Sequence, residues 1–188
     1  IGNERIEAVE AVAVDESWTP VPGTEERIPC DTLLLSVGLI PENELSMKAG
    51  VTLDPITGGP RVDDGFQTNV PGIFAAGNVV HVYDLVDWVT TAGYVAGRGA
   101  ANFAIEQRKH VDRELPIEAG ENVAHVIPHR LRKDALVERD VQLQMRVNRP
   151  IEQRVSVELL DGQERVARQG ARYARPGEMV TLNVPQKA

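Results

Sequence analysis

The chain has 188 residues, 42% of them hydrophobic but only 4% aromatic, so any core must be built mostly from Val, Leu, Ile and Ala, and the length holds one large domain or two small ones. Lys and Arg number 20 against 28 Asp and Glu, a net charge of −8 that argues against nucleic acid and against an anionic membrane surface as partners, because both are gripped by a basic face. No apolar run approaches the ~20 residues that span a bilayer, and no N-terminal stretch reads as a signal peptide.

In chain order, residues 6–14 alternate apolar and other side chains, the period of a half-buried strand. Pro20, Pro22 and Gly23 mark turns. The single cysteine, Cys30, lies beside Asp31 with no partner thiol and no cationic neighbour in sequence, which predicts a small buried hydrophobe rather than a redox centre, in keeping with a reducing cytoplasm. Thr32 to Val37 is a short apolar run ended by Gly38, the mark of a strand buried on both faces. Residues 38–43 and 67–72 read as turns, with short strands expected at 61–63 and 73–77. A helix is expected from about Asp87 to about Gln107, capped by Asp84 or Asp87. Gly93, Gly97 and Gly99 in its middle predict close approach of its backbone to a sheet or a ligand.

Past His110 the chain becomes polar and linker-like, and strand-length runs then recur at 123–127, 141–147, 154–160, 165–172 and 179–184, with Asp161-Gly162 as a tight turn. This is the pattern of a small sandwich. Arg130, Arg132 and Lys133 read as a solvated basic cluster. His125 and His129 are four residues apart, which on a strand is ~13 Å, too far for both to hold one metal ion.

For chemistry, the chain has no G-x-G-x-x-G or G-x-x-x-x-G-K-[ST] loop to cradle a pyrophosphate, no Cys-x-x-Cys pair and no G-x-S-x-G elbow. The informative stretch is 68–101, where a short strand ends at Gly77-Asn78 and a small-residue helix starts about ten residues later. Asn78 at the strand edge could hydrogen-bond a ligand hydroxyl, Gly77 removes a side chain that would block approach, and free N–H groups of Trp88 and Val89 could meet an electron-rich group. The plainer reading of the same residues is a capped helix after a tight turn, with Asn78 serving its own backbone.

Thr68-Asn69-Val70-Pro71-Gly72-Ile73-Phe74-Ala75-Ala76-Gly77-Asn78 resembles the second flavin-binding motif, T-x-x-P-G-[IVL]-[FY]-A-x-G-D, of the flavoproteins with two dinucleotide-binding domains, the pyridine nucleotide-disulfide oxidoreductases. Gly38 to Asn43 is similar to the segment where those chains pass from the NAD(P) domain back to the FAD domain. The stretch 77–87 is similar to subunits associated with amine, opine or glycerol-3-phosphate oxidation. The resemblance covers residues 1 to about 108. It implies a FAD site in which Gly77, Asn78 and Val79 serve the ribityl chain while Asp87, Trp88 and Val89 line the flavin edge. NAD(P) would bind through an N-terminal part outside these residues. Asn78 departs from the family's Asp; an amide can still accept from or donate to a hydroxyl.

The expected architecture is therefore α+β: the C-terminal parts of NAD(P)- and FAD-binding domains over 1–108, with short strands and one long helix, a linker over 109–121, and a β-sandwich-like domain over 122–188. The function implied is a fragment of an oxidoreductase that passes hydride between NAD(P)H and FAD, inactive alone. The alternative is a non-catalytic docking module for a partner dehydrogenase or oxidase subunit. No catalytic residue and no metal ligand is assigned, and the chain is expected to self-associate.

Overall fold

The computed structural model describes residues 1–36, 38–106, 114–132 and 135–186. Contacts divide the chain into two compact units, residues 1–39 and 40–188.

The first unit is an antiparallel hairpin of β1 (Ala8–Ala11) and β2 (Glu26–Pro29), in register from Ala8 opposite Pro29 to Ala11 opposite Glu26. Asp15 shapes the connecting loop, its Oδ1 accepting the N–H groups of Ser17 and Thr19. Cys30 is free and half-buried rather than buried, its N–H donating to Glu7 O at 3.2 Å. The run from Thr32 to Ser36 forms no strand, and Leu34 and Leu35 are 89% and 73% exposed. A strand buried on both faces needs a neighbour on each edge. Among the described residues of this unit, β1 and β2 pair only with each other. Val37 lies outside the described residues.

The second unit opens with α1 (Glu44–Lys48) and then runs through turns. Residues 61–63 form no strand, a single bridge of Leu53 with Pro60 lying just before them, and the strand expected at 73–77 shrinks to one bridge of Phe74 with Gln67, because Gly, Pro and Asp break every run before a ladder can form. A single 3-10 turn follows at Gly77–Val79, then α2 (Val86–Glu106), which starts one residue before the expected Asp87. The expected helix end at 107 lies outside the described residues. Asp87 sits in the first turn, at the positive end of the dipole. Asp84 is spent elsewhere, its Oδ2 accepting the N–H of Met179 at 3.0 Å. The helix buries Ala92 and Ala96, and a side chain at Gly99 would collide with the Gly65 carbonyl. Close approach thus explains Gly99, while Gly93 and Gly97 meet no described atom within 4 Å.

The β elements are β3 (Glu114–Pro116), β4 (Val123–Ile127), β5 (Arg130–Arg132), β6 (Val141–Val147), β7 (Val155–Asp161), β8 (Glu164–Ala171) and β9 (Val180–Val184), with α3 (Ala135–Glu138) between β5 and β6. β3 falls inside the stretch expected to be linker and pairs antiparallel with β5. β4, β6 and β9 form a three-stranded antiparallel sheet with β6 in the centre; β7 and β8 form a separate hairpin. Alternation along β6 sends Val141, Leu143, Met145 and Val147 into a core with Val126, Val180, Leu182 and Val184, covered by Val155, Val157, Leu159 and Val166 of the hairpin. Gln142, Gln144 and Arg146 point to the other face. That face is not left to solvent, since Gln144 is 5% exposed. Ile127 of β4 joins a second core with Val62, Phe66, Val80, Tyr83, Ala92 and Ala96.

The basic cluster is not solvated. Arg130 Nε lies 2.7 Å from Glu114, and Arg132 makes a forked contact with Asp64, its Nη2 at 2.8 Å from Oδ2. Arg139 donates to the backbone carbonyl of Asp64, and Glu138 pairs with Arg132 from outside. Lys133 lies outside the described residues. The Asp64 side chain has no exposure, so its charge depends on these cations. Asp64→Ala strands Arg132 half-paired with Glu138, and we expect a loss of about 3 kcal/mol, the low end of the cost of breaking a buried pair, in urea denaturation. Glu152→Gln, which breaks an equally direct but solvent-exposed pair with Arg175, should leave the midpoint unmoved.

Candidate functional site at the 77–89 turn

Gly77 adopts φ +75° and is buried beneath the start of α2, where an added Cβ would sit 3.3 Å from Val89 Cγ1. The glycine is therefore required twice, for its left-handed backbone and for the closeness of the helix. Val79, Trp88 and Val89 pack against the same core, so the structure brings Gly77, Val79, Trp88 and Val89 together. Asn78 and Asp87 stand exposed at the edge of that cluster.

Asn78 Oδ1 accepts the N–H of Tyr83 at 3.2 Å. The carbonyl half of its amide therefore serves the local backbone, as the plainer sequence reading had it. Among the described residues the NH2 half of the amide finds no partner. At the helix start, the Trp88 N–H is not free as expected; it donates to Leu85 O at 3.2 Å because the chain closes a tight turn into the helix. Of the groups the sequence suggested for a ligand, the Asn78 amide is exposed, Gly77 is covered by Val89, and the Trp88 N–H is already taken.

Residues that sequence reasoning did not assign complete the site. Asn43, 5% exposed, donates from Nδ2 to Val79 O and Gly58 O, both at 2.9 Å, and so fixes the 3-10 turn from below. Its place in the Gly38–Asn43 segment was the available signal. On the other side the 78–87 excursion lies against the polar face of the β4–β6–β9 sheet. His81 Nδ1 is 3.2 Å from His125 Nε2, Tyr83 OH donates to Gln144 Oε1 at 3.1 Å, and Arg146 Nη2 donates to Val82 O at 2.9 Å. Nothing local in the sequence announces these pairs, because their partners lie 44 to 64 residues apart.

His81 is 2% exposed, its ring packed edge-on to Tyr83 and His125, and its Nε2 has no partner among the described residues. His129 Nδ1 accepts the Val62 N–H at 3.1 Å while its own N–H donates to Val62 O. Burial, with His125 and the Arg146 guanidinium adding to it, pulls His81 down to about 3. Burial likewise lowers His129 to about 4 against the opposing pull of Asp54, and lowers His125, with Arg146 acting in the same sense. All three rings are neutral near pH 7. The unfolded chain binds the His81 and His129 protons near 6.5 and the folded chain does not until about 3 and about 4, with His125 displaced in the same direction. Their stabilisation is complete above pH 6.5 and drains away as the pH falls through that window. Urea midpoints should therefore fall steadily from pH 7 to pH 4, and His81→Phe should flatten the slope.

Residues 3–94 match the family model described as pyridine nucleotide-disulphide oxidoreductase. Thioredoxin reductase of Listeria monocytogenes is 34% identical over 96 residues, which is 50% of this chain and 29% of that protein. Dihydrolipoyl dehydrogenase of Manduca sexta is 43% identical over 61 residues, 31% of this chain and 12% of that protein. The small chain of the NADPH glutamate synthase of Escherichia coli is 36% identical over 87 residues, 44% of this chain and 18% of that protein. The chain thus spans less than a third of the length of these relatives. The stretch that carries the candidate site, Thr68 to Val89, lies within the matched residues, and the first half of this chain is homologous to FAD/NAD(P)-dependent oxidoreductases.

Proposed function

We propose that this chain supplies the ribityl and flavin-edge part of a FAD site in an oxidoreductase that passes hydride between NAD(P)H and FAD. The observation that carries the reading is that the Gly77 turn meets the start of α2 at Val89, with the Asn78 amide exposed next to it. Bound there, FAD would accept or release the hydride. The chain's own residues orient the cofactor: Asn78 donates to a ribityl hydroxyl, Gly77 lets the turn close against Val89 of α2, and the start of α2 turns its positive end toward the flavin edge. Asp87 and Val89 flank that edge.

NAD(P) binding is assigned to residues beyond these 188, since no phosphate-cradling loop lies among them. For the same reason the chain alone is expected to turn over nothing. The 77–87 stretch supports a place among subunits of amine, opine or glycerol-3-phosphate oxidation systems, with a partner dehydrogenase or oxidase subunit receiving the electrons. The similarity to the small chain of a glutamate synthase agrees with such a partner. A reducing cytoplasm suits a protein whose lone cysteine is free. Among the described residues no helix is long and apolar enough to cross a membrane.

The test is the absorption spectrum of the complete polypeptide that contains residues 1–188, followed by anaerobic NADH and NADPH. Flavin bands that bleach with either nucleotide support the proposal, and Asn78→Ala should then weaken FAD retention by about three- to ten-fold, the worth of one hydrogen bond. A colourless polypeptide that takes up no added FAD contradicts it.

A further inference from the structure

We infer that the β domain is part of the ligand site, with Gln144 and Arg146 of β6 acting as positioning residues for Asn78; the link to FAD rests on the function proposed above. Between the 3-10 turn and α2, the segment 80–85 has no regular structure of its own. Its internal bonds are few: Val80 N–H to Gly77 O, Tyr83 N–H to Asn78 Oδ1, and Trp88 N–H to Leu85 O. Its conformation is otherwise fixed from the sheet. Arg146 reaches two carbonyls at once, Val82 O through Nη2 and Pro176 O through Nη1, each at 2.9 Å. Gln144 accepts from Tyr83 OH and donates from Nε2 to Gln142 Oε1 at 3.2 Å, so its orientation is fixed and only its oxygen is presented to the tyrosine. Asp84, at the far end of the segment, is tied to Met179 just before β9.

The consequence follows along one covalent chain. Tyr83 holds the Asn78 amide through its N–H, and the sheet holds Tyr83 by its hydroxyl and Val82 by its carbonyl. Releasing the sheet-side bonds lets Val82 and Tyr83 move, and the Asn78 amide then loses the orientation that leaves its NH2 facing outward. Cross-strand register places the elements for this. His125 is opposite Arg146 and Ile127 opposite Gln144 on one face, while Val126 and Met145 between them face the other core. The β domain is thereby coupled to the 78–87 excursion without touching the ligand.

The experiment uses the complete polypeptide and four variants: Arg146→Met, Gln144→Leu, the conservative Gln144→Glu, and Arg175→Met on an exposed part of the β domain. Amide hydrogen exchange is followed at Tyr83 and at Leu143 and Leu182 in the sheet, and FAD dissociation constants are measured in parallel. Arg146→Met and Gln144→Leu should speed Tyr83 exchange and weaken FAD by up to the roughly three- to ten-fold of Asn78→Ala, since they act only through Asn78. Leu143 and Leu182 should stay protected, Gln144→Glu should restore Tyr83 protection because it keeps the acceptor oxygen, and Arg175→Met should change nothing. Unchanged Tyr83 exchange in both disruptive variants overturns the inference. So does exchange that rises equally at Leu143 and Leu182, which would mean loss of the sheet rather than of positioning. If the unaltered polypeptide binds no FAD, the flavin reading fails, and the exchange comparison alone decides the positioning role.

Discussion

The central strand β6 has two buried faces of opposite character, and the rest of the second unit depends on that. Its alternating sequence, Val141-Gln142-Leu143-Gln144-Met145-Arg146-Val147, would ordinarily give an apolar face to a core and a polar face to water. Here the apolar face packs against the β7–β8 hairpin, and the polar face receives the loop that joins the 3-10 turn to α2. A loop can be buried only if its backbone groups find partners. Arg146 supplies one at the Val82 carbonyl while Gln144 holds the Tyr83 hydroxyl, and this is what lets the irregular segment 80–85 hold one shape.

The same arrangement sets the electrostatics of the interior. Arg146 donates hydrogen bonds to two backbone carbonyls, and His81 and His125 are held neutral by burial and by its positive charge. A neutral imidazole pair can share a hydrogen bond in either tautomer, so the contact survives near pH 7 without a counter-ion. At the other end of the interface the opposite solution appears: Asp64 is buried and charged, and Arg132 and Arg139 are drawn in to match it. The helix α2 and the β domain are thus joined by one contact zone that is apolar around Ile127, neutral and polar around His81, and ionic around Asp64.

Much of this fold is legible in the sequence where structure is local. The ends of β4 and β6 coincide with the apolar runs because Pro, Asn and Asp bracket them, and α2 begins within a residue of its expected start because acidic residues mark the first turn. The misreadings share one physical cause, a partner far away in sequence. Arg130 and Arg132 look solvated until Glu114 and Asp64 are brought to them across 16 and 68 residues. Asp84 looks like a helix cap but is taken by Met179. Thr32 to Ser36 has the composition of a doubly covered strand, yet composition cannot supply neighbouring strands. At the candidate site, the motif draws attention to Gly77 and Asn78, whereas the partners that hold this turn, Asn43, Tyr83, Gln144 and Arg146, follow only from the folded chain.

If the polar face of β6 truly joins the two cores, they should unfold as one. Trp88 reports on the core around α2, and Leu143 and Leu182 report on the core between the sheet and the β7–β8 hairpin. With Trp18→Phe removing the exposed second tryptophan, urea unfolding can be followed by Trp88 fluorescence and by the methyl NMR signals of Leu143 and Leu182. Coincident midpoints and slopes are the predicted result, the mark of a single cooperative transition. Two separated transitions, with the leucine signals outlasting the Trp88 change, would contradict the account by showing that the β domain stands without the loop it is said to hold.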